Sequence, residues 1–127
     1  MDLGITRLAQ ISYPVADVDR ALAFFEGKLG LTVALRPHPH MAFIVVGGVS
    51  IFLERADDVS HASILYLGCD DVAVATAELE RRGVEIVSQP HRITEQPAYD
   101  LWMSFCKDPD GRLVALSMEA PKGWRPR

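Results

Sequence analysis

The sequence predicts an α+β protein made of two βαβββ units whose strands form a curved mixed sheet around a cavity. Three observations point there. First, the chain repeats itself: Asp17-Val18, Ala21, Ala23 and Glu26 recur at a constant offset as Asp71-Val72, Ala75, Ala77 and Glu80, with Leu79 in the place of Phe25. Second, each half carries several alternating apolar runs and a single run at helical spacing. Third, Asp108-Pro109-Asp110-Gly111 lies between two apolar runs and reads as the turn of a hairpin, with proline where φ is pre-set and glycine where a positive φ is tolerated.

Taken in order, Ile5 to Val15 alternates and is rich in β-formers, and Pro14 marks its end. Asp17 caps a helix whose apolar positions Val18, Ala21, Leu22, Phe25 and Leu29 share one face, and Gly30 stops it after Lys28. Leu31 to Leu35, Met41 to Val46 and Val49 to Leu53 read as three strands, separated by Pro37-His38-Pro39-His40 and by Gly47-Gly48. Ala56 to His61 is polar and unpatterned, which suits a connection between halves. The second unit begins with a strand from Ser63 to Cys69, followed by a helix that Gly83 ends and a strand starting at Val84 to Val87. Ser88 to Tyr99, with Pro90, His91 and Pro97, reads as a loop longer than a hairpin needs. Leu101 to Cys106 and Leu113 to Met118 complete the unit. Unit one thus covers about residues 5–55 and unit two about 62–119 of a single domain over 1–127. The tail Ala120 to Arg127 is irregular, with Trp124 placed to dock on this chain or on a neighbour.

At 127 residues the chain is long enough to bury roughly two-thirds of its unfolded surface. Hydrophobic residues at 49% and charged residues at 24% suit an ordinary globular protein, and no apolar run approaches the roughly 20 residues of a membrane helix. A net charge of −4 argues against a nucleic-acid partner and permits a cationic or neutral ligand. Met1-Asp2-Leu3-Gly4 begins acidic, without the basic segment and apolar core of a secretory signal, so a cytoplasmic location is expected. Cys69 and Cys106 sit in apolar strand patterns with no Cys-x-x-Cys spacing and read as reduced, buried thiols.

One helix covers only one face of a four-stranded sheet, so the other face must be buried elsewhere or curl around a ligand, and a cavity is expected. The repeated βαβββ unit, closed by the Asp-Pro-Asp-Gly hairpin, resembles the vicinal oxygen chelate superfamily of glyoxalase I, extradiol dioxygenases and bleomycin-binding resistance proteins. The resemblance covers nearly the whole chain and is specific for fold, since that scaffold carries many activities. It also supplies an anchor for the strands. In metal-dependent members a His or Gln two residues after an apolar one in the first strand binds the metal, and Gln10 in Leu8-Ala9-Gln10-Ile11-Ser12 matches. Alternation then sends Gln10, Ser12, Phe52, Glu54, Ile64, Tyr66, Leu113, Ala115 and Ser117 to the cavity. The position four after the turn glycine, a metal-binding glutamate in those members, is Ala115 here. The fifth-strand position is Ile64, and the fourth-strand position is Phe52, or Glu54 if the register slips by two. Gln10 and Glu54 alone do not hold a divalent ion against water, so the resemblance implies loss of the usual metal site, with no cofactor.

Among the histidines, His38, His40 and His61 fall in turns and read as solvent-exposed. His91 falls in the long loop, which resembles one that closes the cavity mouth in such proteins; it is read as an acid, a base, a hydrogen-bond donor, or a loop residue packed on Trp102. Glu54 either faces the cavity, pairing with arginine, Gln10 or Ser12 or awaiting a cationic ligand, or ends its strand in water beside Arg55 or Arg36. Trp102, Tyr66 and Phe52 are candidates to stack on a planar ligand, and equally candidates for plain core. The reading is a small-molecule-binding protein of the glyoxalase/bleomycin resistance type, with Gln10, Glu54, Tyr66, His91 and Trp102 contacting a small organic ligand. The alternative is an isomerase, lyase or dioxygenase with a rearranged site that uses Gln10, Glu54 and His91 as metal ligands or as acid and base. A homodimer is expected, because members of this superfamily commonly complete their cavities across a pair.

Overall fold

Each half of the chain folds into one four-stranded mixed sheet with a helix against one face. The computed structural model describes residues 3–61 and 63–127, so the acidic start at Met1-Asp2 and the position Ala62 lie outside the described residues. The first unit, Met1–Ala62, contains β1 (Gln10–Val15), α1 (Val18–Leu22), a π-helical continuation (Ala23–Lys28), β2 (Thr32–His38), β3 (Met41–Val46) and β4 (Val49–Arg55), in the sheet order β1-β4-β3-β2. The second unit, Ser63–Arg127, contains β5 (Leu65–Gly68), α2 (Val72–Arg81), β6 (Ile86–Glu95), β7 (Asp100–Lys107) and β8 (Leu113–Ala120), in the order β5-β8-β7-β6. In both, the first strand runs parallel to the last and the other pairs are antiparallel. The α+β class and the βαβββ order are those the repeat predicts.

The repeated Asp-Val pair is a helix start in both units. Asp17 Oδ1 accepts from the Arg20 amide at 3.0 Å, and Asp71 Oδ1 accepts from the amides of Ala73 and Val74 at 3.0 Å each. Val18 and Val72, next in line, are both buried. The first helix does not stay α to its end. From Ala23 it widens, which brings two consecutive rings, Phe24 and Phe25, to the buried side, where Phe25 meets Tyr13 edge-on at 5.6 Å. Gly30, at φ +73°, lets the Leu31 amide turn back to the Phe25 carbonyl at 2.9 Å. In the second unit the Thr76 hydroxyl donates to the Val72 carbonyl at 2.5 Å and accepts from Ser104 at 2.7 Å, so α2 is pinned to β7 by buried hydroxyls.

Several boundaries differ from expectation. The first strand starts at Gln10 and not at Ile5, because its partner β4 starts at Val49 and the Ser50 amide bonding to the Ala9 carbonyl is the last rung. Pro37 and His38 belong to β2, leaving Pro39 and His40 as the turn. The largest correction concerns Ser88 to Tyr99, which is not a long loop: β6 runs to Glu95 and pairs with β7. Three register shifts, at Ile86/Ser88, Ser88/His91 and Arg92/Thr94, break its alternation and hide it in the sequence. Pro90 is tolerated because β6 is an edge strand, as are β1 with Pro14 and β2 with Pro37.

The hairpin turn between β7 and β8 is held by Asp108, whose Oδ1 accepts from the amides of Asp110 at 2.9 Å and Arg112 at 2.8 Å, while Arg112 Nε donates to its Oδ2 at 3.0 Å. Of the two thiols, Cys106 is buried and Cys69 only half-buried. Burial pushes the Cys106 thiol up to about 11, which keeps it protonated and unreactive at neutral pH. The tail returns to the sheet. Trp124 packs edge-on against Trp102 at 5.0 Å, and the Arg125 guanidinium lies 5.8 Å from the centre of the Trp102 ring.

Candidate functional site

Register decides what each sheet presents on the face away from its helix. In the first unit β1 and β4 bury Tyr13, Val15, Ile51 and Leu53 toward the helix side, which leaves Gln10, Ser12, Phe52 and Glu54 on the uncovered face. Cross-strand rows follow. Gln10 lies beside Ser50, Ser12 beside Phe52, and Pro14 beside Glu54. Phe52 in turn lies beside Phe43, the two rings stacked at 4.8 Å and 13°. Since Gln10 aligns with Ser50 and Glu54 lies four residues further along β4, Gln10 and Glu54 are about 13 Å apart along the sheet.

Glu54 is exposed beside a hollow of about 370 Å³ that also touches His38, His40 and Met41. Neither expected arginine meets it: Arg55 pairs with Asp57 at 2.8 Å and Arg36 with Asp19 at 2.7 Å. Among the described residues no hydrogen bond or ion pair engages the Glu54 carboxylate. His38, His40 and His61 are exposed, as the sequence suggests.

In the second unit the uncovered face carries a row of rings. Tyr66 pairs with Ala115, and Ala115 with Phe105 on its other side. The Tyr66 and Phe105 rings are 6.4 Å apart and nearly perpendicular; the His91 imidazole lies 6.4 Å beyond Phe105, tilted by 31°. Ala115 is fully buried beneath them, so its methyl is the floor of the row, while Tyr66 remains 54% exposed. By backbone register His91 stands in the neighbouring row, which runs from His91 through Met103 and Ser117 to Gly68 on the edge strand β5, and only its ring approaches Phe105. A hollow of about 470 Å³ opens at that edge against Tyr66, Gly68 and Ser117.

The structure thus gathers Tyr66 and His91 on one face of the second unit, and Gln10 and Glu54, well separated, on one face of the first. Trp102 is on the opposite side of its sheet. It pairs with Met118, is 6% exposed and lies under Trp124, because Met103 and Phe105 occupy the alternate positions that face outward. His91 accordingly packs near Phe105 and not near Trp102. Phe43, Met103 and Phe105 were missed by sequence reasoning. Alternation anchored on Ala115 would have found Phe105, its direct neighbour across the hairpin.

The side chains present do not fit the metal centre of the metal-dependent members. Ile64 and Ala115 have no donor atom, and Gln10 and Glu54 are too far apart to share an ion. Among the described residues no three His, Cys, Asp or Glu side chains converge on a common point. Among the described residues no helix is long and apolar enough to cross a membrane.

Comparison with known proteins supplies the family. The model of the Glyoxalase/Bleomycin resistance protein/Dioxygenase superfamily matches residues 7–116. No curated protein matches the chain significantly by sequence. Among solved structures, an integron cassette protein from the mobile metagenome of V. cholerae is 24% identical, covering 94% of this chain and 100% of its own, with a TM-score of 0.75. TnmS3, an antibiotic binding protein from Streptomyces sp. CB03234, is 24% identical with the same coverage and a TM-score of 0.74. A lactoylglutathione lyase from Agrobacterium tumefaciens is 19% identical, covering 95% of this chain and 99% of its own, with a TM-score of 0.70.

Proposed function

The chain belongs to the Glyoxalase/Bleomycin resistance protein/Dioxygenase superfamily, and from that premise we propose that it binds a small, planar organic molecule on the uncovered face of its second sheet, without the metal chemistry of the enzymes in that superfamily. The observation that carries this reading is the row Tyr66, Phe105 and His91 above Ala115. A tyrosine left 54% exposed on the uncovered face of a sheet offers apolar area that a stacked ring would cover. Where a glutamate would bind metal, the Ala115 methyl lies covered and gives the Tyr66 and Phe105 rings an apolar floor. His91 is assigned to orient a polar group of the ligand on this face; Gln10 and Glu54 are assigned polar contacts on the first unit's own face, taken by itself. A structural neighbour described as an antibiotic binding protein shares the fold, which supports small-molecule binding as one use of this scaffold.

The test is native mass spectrometry of the purified chain for a co-purifying small molecule, followed by thermal-shift screening of planar aromatic compounds. Tyr66→Ala and Phe105→Ala are each expected to weaken a hit by about tenfold or more while the fold is retained. A hit whose affinity is the same in both variants, or metal-dependent turnover of a glyoxalase-type substrate, overturns the reading.

A further inference from the structure

The contacts of the His91 imidazole favour one tautomer. Its Nδ1 lies 2.9 Å from the Gln89 carbonyl oxygen and 3.3 Å from Ser88 Oγ. A carbonyl oxygen only accepts, so neutral His91 makes the shorter contact by carrying its proton on Nδ1, and Nε2 is left as a lone pair. Both contacts fall inside the register shift between Ser88 and His91, where the edge strand leaves the regular ladder and its own backbone becomes available to the ring. The imidazole lies on the uncovered face, beside Met103 and 6.4 Å from Phe105, at the end of the row that begins with Tyr66.

Resting on the proposed binding face, we propose that His91 is a specificity-determining residue: its Nε2 accepts a hydrogen bond from a hydroxyl or N–H group on the rim of a planar ligand stacked against Phe105 and Tyr66. The sequence leaves His91 open as acid, base, donor or a loop residue packed on Trp102; the Gln89 carbonyl favours an acceptor at Nε2. The ligand class narrows accordingly. A phenol or a ring N–H satisfies Nε2, whereas an ether or carbonyl at the same place sets one lone pair against another.

Two measurements on the full chain test this, with 2-naphthol and 2-methoxynaphthalene as probes. Long-range ¹H–¹⁵N correlation spectra are expected to give the Nδ1–H tautomer for His91 in the free protein. Titration followed by the Tyr66 and Phe105 resonances is expected to give about tenfold tighter binding of the naphthol than of its methyl ether. His91→Phe, which keeps a ring at an exposed position, is expected to erase that preference by weakening the naphthol and relieving the ether, so that the two affinities meet. An Nε2–H tautomer, or equal affinities in the unmodified protein, overturns the acceptor role and leaves the binding face standing. If neither compound moves the Tyr66 and Phe105 resonances, the binding face falls and the acceptor role falls with it.

Discussion

Asp100 is a carboxylate at 1% exposure whose hydrogen bonds come from the tail: Lys122 Nζ at 2.6 Å and the Gly123 amide at 3.0 Å. The Lys122 hydrogen bond first, and the Gly123 amide next, hold its carboxyl below the usual range. A depressed folded value means that Asp100 contributes stability above its unfolded value of about 4, and that this contribution is lost as the pH falls through the folded value. The tail should therefore loosen only in acid. Because Trp124 packs edge-on against Trp102, tryptophan fluorescence reads the change. Lys122→Met is expected to move that acid transition to higher pH; an unchanged midpoint would show that the tail is held by the indole contact alone. The same residue scale explains why Trp102 was misjudged. Leu101 to Cys106 is apolar on both faces, so nothing in the run itself says which alternate set faces the helix, and the docking of Trp124 is not encoded locally.

At the scale of elements, the sequence was most legible where a local signal and a tertiary one agree. The two Asp-Val helix starts are of this kind, since the aspartate caps and the valine is core. β6 is the opposite case: its ladder exists only because β7 accepts a strand with three register shifts, and no periodicity within the segment announces that. The π-helical widening is likewise set by the need to bury two adjacent phenylalanines against a strand. The link between α2 and β7 allows a direct energetic test. Thr76→Val keeps shape but leaves the buried Ser104 hydroxyl without its partner, so a loss of about 1–2 kcal/mol is expected in urea denaturation. Removing both hydroxyls, as Thr76→Val with Ser104→Ala, should cost less than the sum of the single changes.

At the scale of the whole molecule, the repeat made the fold readable and the departures from the family pattern made the function only partly so. Ala115 and Ile64 are visible in the sequence as missing donors. The separation of Gln10 from Glu54 is not, because it depends on how β1 aligns with β4. That separation yields a prediction for the intact protein. A metal site filled at a hundred times its dissociation constant would add about 2.7 kcal/mol, a rise of several degrees at this length. Low-micromolar zinc or nickel is instead expected to leave the melting temperature within about 1 °C of the metal-free value. A rise of several degrees that vanishes in Glu54→Ala would restore the enzyme reading.

The prolines at positions 14, 37 and 90 have a consequence for the life of the chain before and after folding. Each falls in a strand at the border of its sheet, and each removes an amide from a row that would otherwise be available to a passing strand. A fold made of twice-repeated sheets risks pairing the wrong copies, since its segments look alike to one another and to those of other molecules on the ribosome or in a crowded solution. Placing an imino acid on β1, β2 and β6 makes those borders poor templates for fibrils and for exchange of strands between molecules, a safeguard against misassembly that needs no contact in the native state.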